Sequence, residues 1–309
     1  MKPIFFFKPL IKNNTQSCFL LLFLTLFVNC NNTHASFIEE KHLVTTKKYK
    51  EIKDIDPNLL SLDIYYSSLT KQKKPVVVYV HGGGWVIGDK ANRLKNKIKL
   101  FKSLDYVFVS INYRLSPFTY DIKNLKRVMY PTHNKDIADA IKWVFDNISQ
   151  YGGDQNKIAL LGHSAGAHLV ALTGTNSAFL NEVGLSLEDI KGIAVIDTVG
   201  YDVKAKVKEG NPLYINAFGV DGDLNIQASP IYNIIKGVTY PKFFIAKRGS
   251  AKRIRMTDRF INALKENSVF VSQVDGSIYN HKEINQVIGQ PNDELITNKL
   301  ILFLKECFQ

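Results

Sequence analysis

Short apolar runs alternate with amphipathic stretches along most of the chain. Pro75-Val76-Val77-Val78-Tyr79-Val80, Tyr106 to Ile111 and Gly192 to Ile196 read as buried strands, Ile158-Ala159-Leu160-Leu161 as an apolar strand run, and Phe243-Phe244-Ile245-Ala246 and Val269 to Val274 as two further strands. Leu60 to Tyr66 alternates with period two and predicts a half-buried strand. Ala91 to Leu104 sets Leu94, Ile98 and Phe101 on one helical face. Thr132 to Ser149 does the same with Ile137, Ile141, Val144 and Ile148, and Gly152-Gly153 ends that helix. Arg255 to Glu266 and Leu295 to Leu304 predict two later helices. Ser116 to Tyr130 shows no period and reads as a loop, and Thr198 to Gly237 is irregular. Strands alternating with helices predict an α/β fold with a mostly parallel, doubly wound sheet flanked by helices.

The N-terminus breaks this pattern. Met1 to Ser17 carries Lys2, Lys8 and Lys12 and no acid, and Cys18 to Val28 is apolar apart from Thr25. That run is too short to span a bilayer. It fits the apolar region of a signal peptide behind a positive start. Phe27-Val28-Asn29-Cys30 resembles a lipoprotein cleavage box, which would make Cys30 the lipidated residue and attach the chain to a membrane. Asn29 departs from the small residue usual there. Thr33-His34-Ala35 offers an ordinary cleavage site instead. Either exit, or an uncleaved anchor, puts the rest of the chain outside the cytoplasm, in a bacterial cell envelope or secreted. Residues 1–30 thus read as a signal peptide, 31–58 as a tether or edge strand, and 59–309 as one globular domain with a pocket or cap insertion around 198–237.

Composition changes this picture little. Of 309 residues, 45% are hydrophobic, which is ordinary for a chain with a sizeable core. The net charge of +12 comes from 40 Lys and Arg against 28 Asp and Glu, scattered as on a solvated surface. No nucleic-acid motif accompanies the charge. Three cysteines, Cys18, Cys30 and Cys307, do not make a disulfide framework.

Two glycine-bearing motifs carry the candidate chemistry. Gly162-His163-Ser164-Ala165-Gly166 follows one apolar run and precedes a helical pattern, the context of a nucleophile elbow. The sharp turn exposes the Ser164 hydroxyl, and the following helix aims its first N–H groups nearby. His81-Gly82-Gly83-Gly84-Trp85 follows another apolar run, and its glycines free the backbone to present N–H groups to a ligand.

With Asn112 to Pro117, Tyr151-Gly152-Gly153-Asp154, Gly162 to His168 and Ala228-Ser229-Pro230, these motifs resemble α/β-hydrolases of the carboxylesterase type. The likeness is to the bacterial esterase, BD-FAE-like and kynurenine-formamidase-like group, and runs from about Leu59 to Leu304. It implies an oxyanion hole made by the backbone N–H groups of Gly83, Gly84 and Ala165. Of seven histidines, His281 lies after the last strand and before the last helix, where such enzymes keep their base. His163 is expected to point away from the serine, His81 to brace the oxyanion loop, and His168 to be a buried polar contact. His34, His42 and His133 look peripheral.

The acid departs from the family pattern. Its usual place, just after Phe243 to Ala246, reads Lys247-Arg248-Gly249-Ser250-Ala251-Lys252-Arg253, with no carboxylate. Asp197, ending the preceding parallel strand, is the leading substitute; Asp202, Asp258, Asp275 or no acid at all stay open. The resemblance implies an exported serine hydrolase of carboxylic esters acting through Ser164, His281 and Asp197, with no metal or organic cofactor. The alternatives are an arylformamidase-like amidase and a non-catalytic hydrolase-fold binding protein. Trp85, Tyr113, Phe118 and Tyr201 are candidates either for pocket walls or for ordinary core.

Overall fold

A computed structural model describes residues 42–68, 72–118 and 127–309. The predicted signal peptide, with Cys18 and the lipidation candidate Cys30, lies outside the described residues, as do residues 119–126 of the predicted loop.

The apolar runs form the strands. In chain order they are β1 (His42–Lys48), β2 (Ser61–Ser67), β3 (Lys74–Val80), β4 (Val107–Ile111), β5 (Gly153–His163), β6 (Ile190–Ile196), β7 (Lys242–Lys247) and β8 (Val271–Asp275). They make one sheet in the order β1-β2-β4-β3-β5-β6-β7-β8. β2 is antiparallel to both its neighbours, and the pairs from β4 to β8 are parallel. β1 lies inside the stretch read as tether or edge strand. It pairs with β2 along its whole length as an edge strand.

Strand geometry sorts the side chains onto two faces. From β3, Val76, Val78 and Val80 join one core, with Ile137 and Ile141 of α2 (Thr132–Asn147), Leu169 of α3 (Ala165–Thr173) and Phe260 of a later helix (Ala251–Glu266). Val77 and Tyr79 join the other, with Phe101 of α1 (Lys95–Ser103) and Phe303 of the closing helix (Lys299–Cys307). Both faces being covered is why the central strands read as continuous apolar runs.

Between β5 and β6 lies α4 (Ala178–Glu182). The irregular stretch after β6 holds three short helices, α5 (Val203–Lys208), α6 (Pro212–Phe218) and α7 (Gly222–Gln227). Each is started by a side-chain cap, from Asp202, Asn211 and Asp221. Under two turns long, they show no readable period. α8 (Ala251–Glu266), α9 (Glu283–Gln286) and α10 (Lys299–Cys307) complete the fold.

Candidate active site

The carboxyl ends of β3 and β5 and the segment after β8 line one cleft of about 460 Å³. Ser164 sits between β5 and α3 at φ 57° and ψ −117°, a strained conformation that thrusts its side chain off the sheet. The turn closes only because its flanks are bare. A Cβ on Gly166 would stand 2.2 Å from the Val80 carbonyl oxygen.

Ser164 Oγ lies 2.9 Å from His281 Nε2, and His281 Nδ1 lies 2.5 Å from Asp197 Oδ2. Asp197 follows directly on β6, at φ 48°, and is 2% exposed. Burial by itself would raise its carboxyl. Hydrogen bonds from His281 and Arg248, with the Arg253 charge, outweigh that and hold it at about 2. Asp197 is therefore an acceptor, so Nδ1 of His281 donates to it and Nε2 is left to accept from the serine hydroxyl.

The two arginines come from the segment where the family usually has its acid. Arg248 Nη1 donates to Asp197 Oδ2 at 2.7 Å, and Arg253 Nη2 donates to Oδ1 at 2.5 Å. Arg248 Nε also donates to the Tyr279 carbonyl, in the loop that carries His281. His163 holds the same loop from the other side. Its Nε2 donates to the His281 carbonyl at 2.9 Å, and the two rings lie 4.7 Å apart. Burial first, and the His281 charge second, push His163 down to about 3, so it is neutral at ordinary pH. Sequence reading noted the basic segment but gave Arg248 and Arg253 no task, and set His163 apart from the site. A cationic run standing where an acid belongs was the available signal.

The other carboxylates are engaged elsewhere. Asp202 caps α5, Asp258 pairs with Lys247, and Asp275 accepts from the Ser277 N–H. The backbone N–H groups of Gly83, Gly84 and Ala165 donate to no acceptor among the described residues. Gly83, at φ 130°, anchors that loop by accepting from Val86 and Ile87. His81 stacks on Tyr113 at 4.6 Å, and the Tyr113 hydroxyl donates to the His81 carbonyl.

Other expectations are corrected. His133 is fully buried rather than peripheral, with Nε2 3.0 Å from Ser116 Oγ. Of the two readings open for them, Trp85, Tyr113 and Tyr201 take the core one, their rings enclosed by α2, α3 and α6 or α8 side chains. Phe118 is exposed. The stretch 198–237 contributes Leu213 of α6 to the cleft.

This sheet order, with a serine turn after β5 and a histidine after β8, defines an α/β-hydrolase fold. The chain belongs to the BD-FAE family, whose model matches residues 62–217, half of its length. Among curated relatives, it is 38% identical over 106 residues to the esterase LipQ of Mycobacterium tuberculosis, covering 34% of this chain and 23% of LipQ. The chain thus spans about a quarter of the length of the curated relatives it matches. Among solved structures, esterase B of Lactobacillus rhamnosis has a TM-score of 0.66 at 22% identity, covering 85% of this chain and 86% of its own. A truncated carbohydrate esterase from gut microbiota has a TM-score of 0.65 at 15% identity, covering 86% and 97%. At these identities the two structures speak for the fold.

Proposed function

We propose that the chain is an exported serine hydrolase that cleaves carboxylic esters. The observation that carries this reading is the unbroken hydrogen-bonded line from Ser164 through His281 to Asp197, opening on a cleft edged by the free N–H groups of Gly83, Gly84 and Ala165. The esterase names of the partial relatives agree with it.

In this mechanism Ser164 Oγ attacks the ester carbonyl while His281 Nε2 takes its proton. The N–H groups of Gly83, Gly84 and Ala165 receive the developing oxyanion. His281 then returns the proton to the leaving alcohol, and an acyl group remains on Ser164. Water, deprotonated by the same nitrogen, releases the acid. Asp197 keeps the imidazole in the required tautomer and stabilises its cation.

Hydrolysis of 4-nitrophenyl butyrate by the purified protein, together with a fluorophosphonate adduct mapped to Ser164, is the expected result. Protein that neither hydrolyses short esters nor labels at Ser164 would sink the reading and leave an inert binding fold. Export rests on the basic, apolar N-terminus. Mass spectrometry of the mature chain should find a lipid on Cys30; a terminus at Ser36 would replace the lipoprotein with an ordinarily processed protein.

A further inference from the structure

The cleft around Ser164 has two unlike sets of walls. Gly84, Ile87 and Leu213 form an apolar set, with Gly84 close against the Leu213 side chain. Tyr79, Asn92, Arg93, Lys282 and Asn285 form the other, and it is rich in donors. Neither the Arg93 nor the Lys282 side chain meets a carboxylate or any other hydrogen-bond acceptor among the described residues.

The floor of this second set is unusual. Asn285 is 3% exposed, and its Oδ1 accepts from the Tyr79 hydroxyl at 3.2 Å. Its Nδ2 has no acceptor among the described residues, although the residue lines the cleft. That nitrogen keeps access to the cleft, where an acceptor on a ligand can reach it. Beneath it lies Lys97, fully buried, with Nζ 2.7 Å from the Asn285 carbonyl and 5.0 Å from the centre of the Tyr79 ring. No carboxylate pairs with Lys97 among the described residues. Burial first, and the charge of Arg93 second, lower its ammonium to about 7. The one acid on the cleft lining, Asp89, is already held by the side-chain amides of Asn58 and Asn112 and by the Ala91 N–H.

Cations from two loops and a free amide donor thus face one partly enclosed space. Such an arrangement favours a negatively charged ligand with several acceptor oxygens. We infer that this wall is a subsite for a carboxylate-like oxyanion on the substrate, so that the preferred esters carry a negative charge on their acyl or their alcohol part. The inference rests on the ester-hydrolase reading above. It adds the class of ester.

Two matched pairs test it. Mono-4-nitrophenyl glutarate against its methyl ester puts the charge on the acyl side. 4-Acetoxybenzoate against methyl 4-acetoxybenzoate puts it on the leaving group. Each kcat/KM is divided by the hydroxide rate constant of the same ester. The charged member of at least one pair should be favoured about tenfold, the worth of a charge-assisted hydrogen bond. That ratio should fall toward one in Arg93→Gln and in Lys282→Gln, and below one in Lys282→Glu. The variants lie on separate loops, so poor folding of one leaves the other to decide. Ratios of one for both pairs, or a preference unmoved in every variant, overturn the subsite while leaving an esterase. If none of the four esters is hydrolysed, the ester-hydrolase reading fails and the subsite with it.

Discussion

β5 and β6 lie side by side, and each is followed by a non-glycine residue at positive φ, Ser164 at 57° and Asp197 at 48°. Each turn residue donates its N–H to a carbonyl near the end of the next strand, Ser164 to Ile196 and Asp197 to Ala246. The two turns are held in very different ways. Around Ser164 the constraint is steric and local, and neighbouring glycines satisfy it. Around Asp197 the flanks are Val195, Ile196, Thr198 and Val199, and the constraint is electrostatic: three cationic or hydrogen-bonding side chains arrive from far along the chain. Asp is one of the few non-glycine residues that enter this backbone region readily. The first device leaves a motif in the sequence and the second does not.

The sharpest separation is in catalysis. Ser164→Ala should lower kcat by about 10⁶, whereas Asp197→Asn should lower it by about 10⁴, because the base survives in the wrong tautomer. Pre-steady-state and steady-state rates on one 4-nitrophenyl ester measure both, and equal losses would erase the distinction between the turns. Next comes stability. Gly166→Ala drives a Cβ to 2.2 Å from backbone and should cost about 3 kcal/mol or more in urea unfolding. A near-neutral result would show that the elbow relaxes, and the steric account would go.

Arg248 tests the other turn. Arg248→Met should reduce kcat by about tenfold to a hundredfold with little change in KM, because it misplaces Asp197 and the Tyr279 loop by a fraction of an ångström. Added guanidinium should restore part of the rate, which a merely unfolded variant would not allow. A fall confined to KM would instead put Arg248 on the substrate.

The smallest effect is on acid stability. Asp197 sits at about 2, below the ordinary 3.8. It therefore contributes stability that is full above about pH 4 and fades as the pH falls toward 2, about 2 kcal/mol in all. Burial also holds His133 and His163 at about 3 and His168 at about 4, below the ordinary 6.5. The unfolded chain takes up their protons first, so these residues erode stability from about pH 6.5 downward. Tm should fall in two stages, and Asp197→Asn should flatten only the lower one.

The same contrast explains what the sequence made legible. Apolar runs located β3 to β7 because burial on both faces leaves few polar interruptions, whereas β8, at the sheet edge, carries Ser272 and Gln273. The elbow and the triple-glycine loop stood out because close backbone approaches exclude side chains. Asp197 could be ranked from its place at a strand end, but its partners could not be read. His281 is 84 residues away, and Arg248 and Arg253 are 51 and 56 away. The helices α5 to α7 were missed for a related reason: their caps, and not a hydrophobic stripe, define them. The strand β1, exposed along most of its length, carries little apolar signal of its own.

Ser164 and His281 are separated by 117 residues, and everything that holds the histidine in place, apart from Asp197 and His163, is made after residue 247. At ordinary synthesis rates of about 5 to 20 residues per second, the serine turn emerges roughly 6 to 23 seconds before its base. For that interval the nascent chain carries a hydroxyl of ordinary reactivity. On the proposed mechanism the chain stays silent until its last segment docks, however early the serine turn is made.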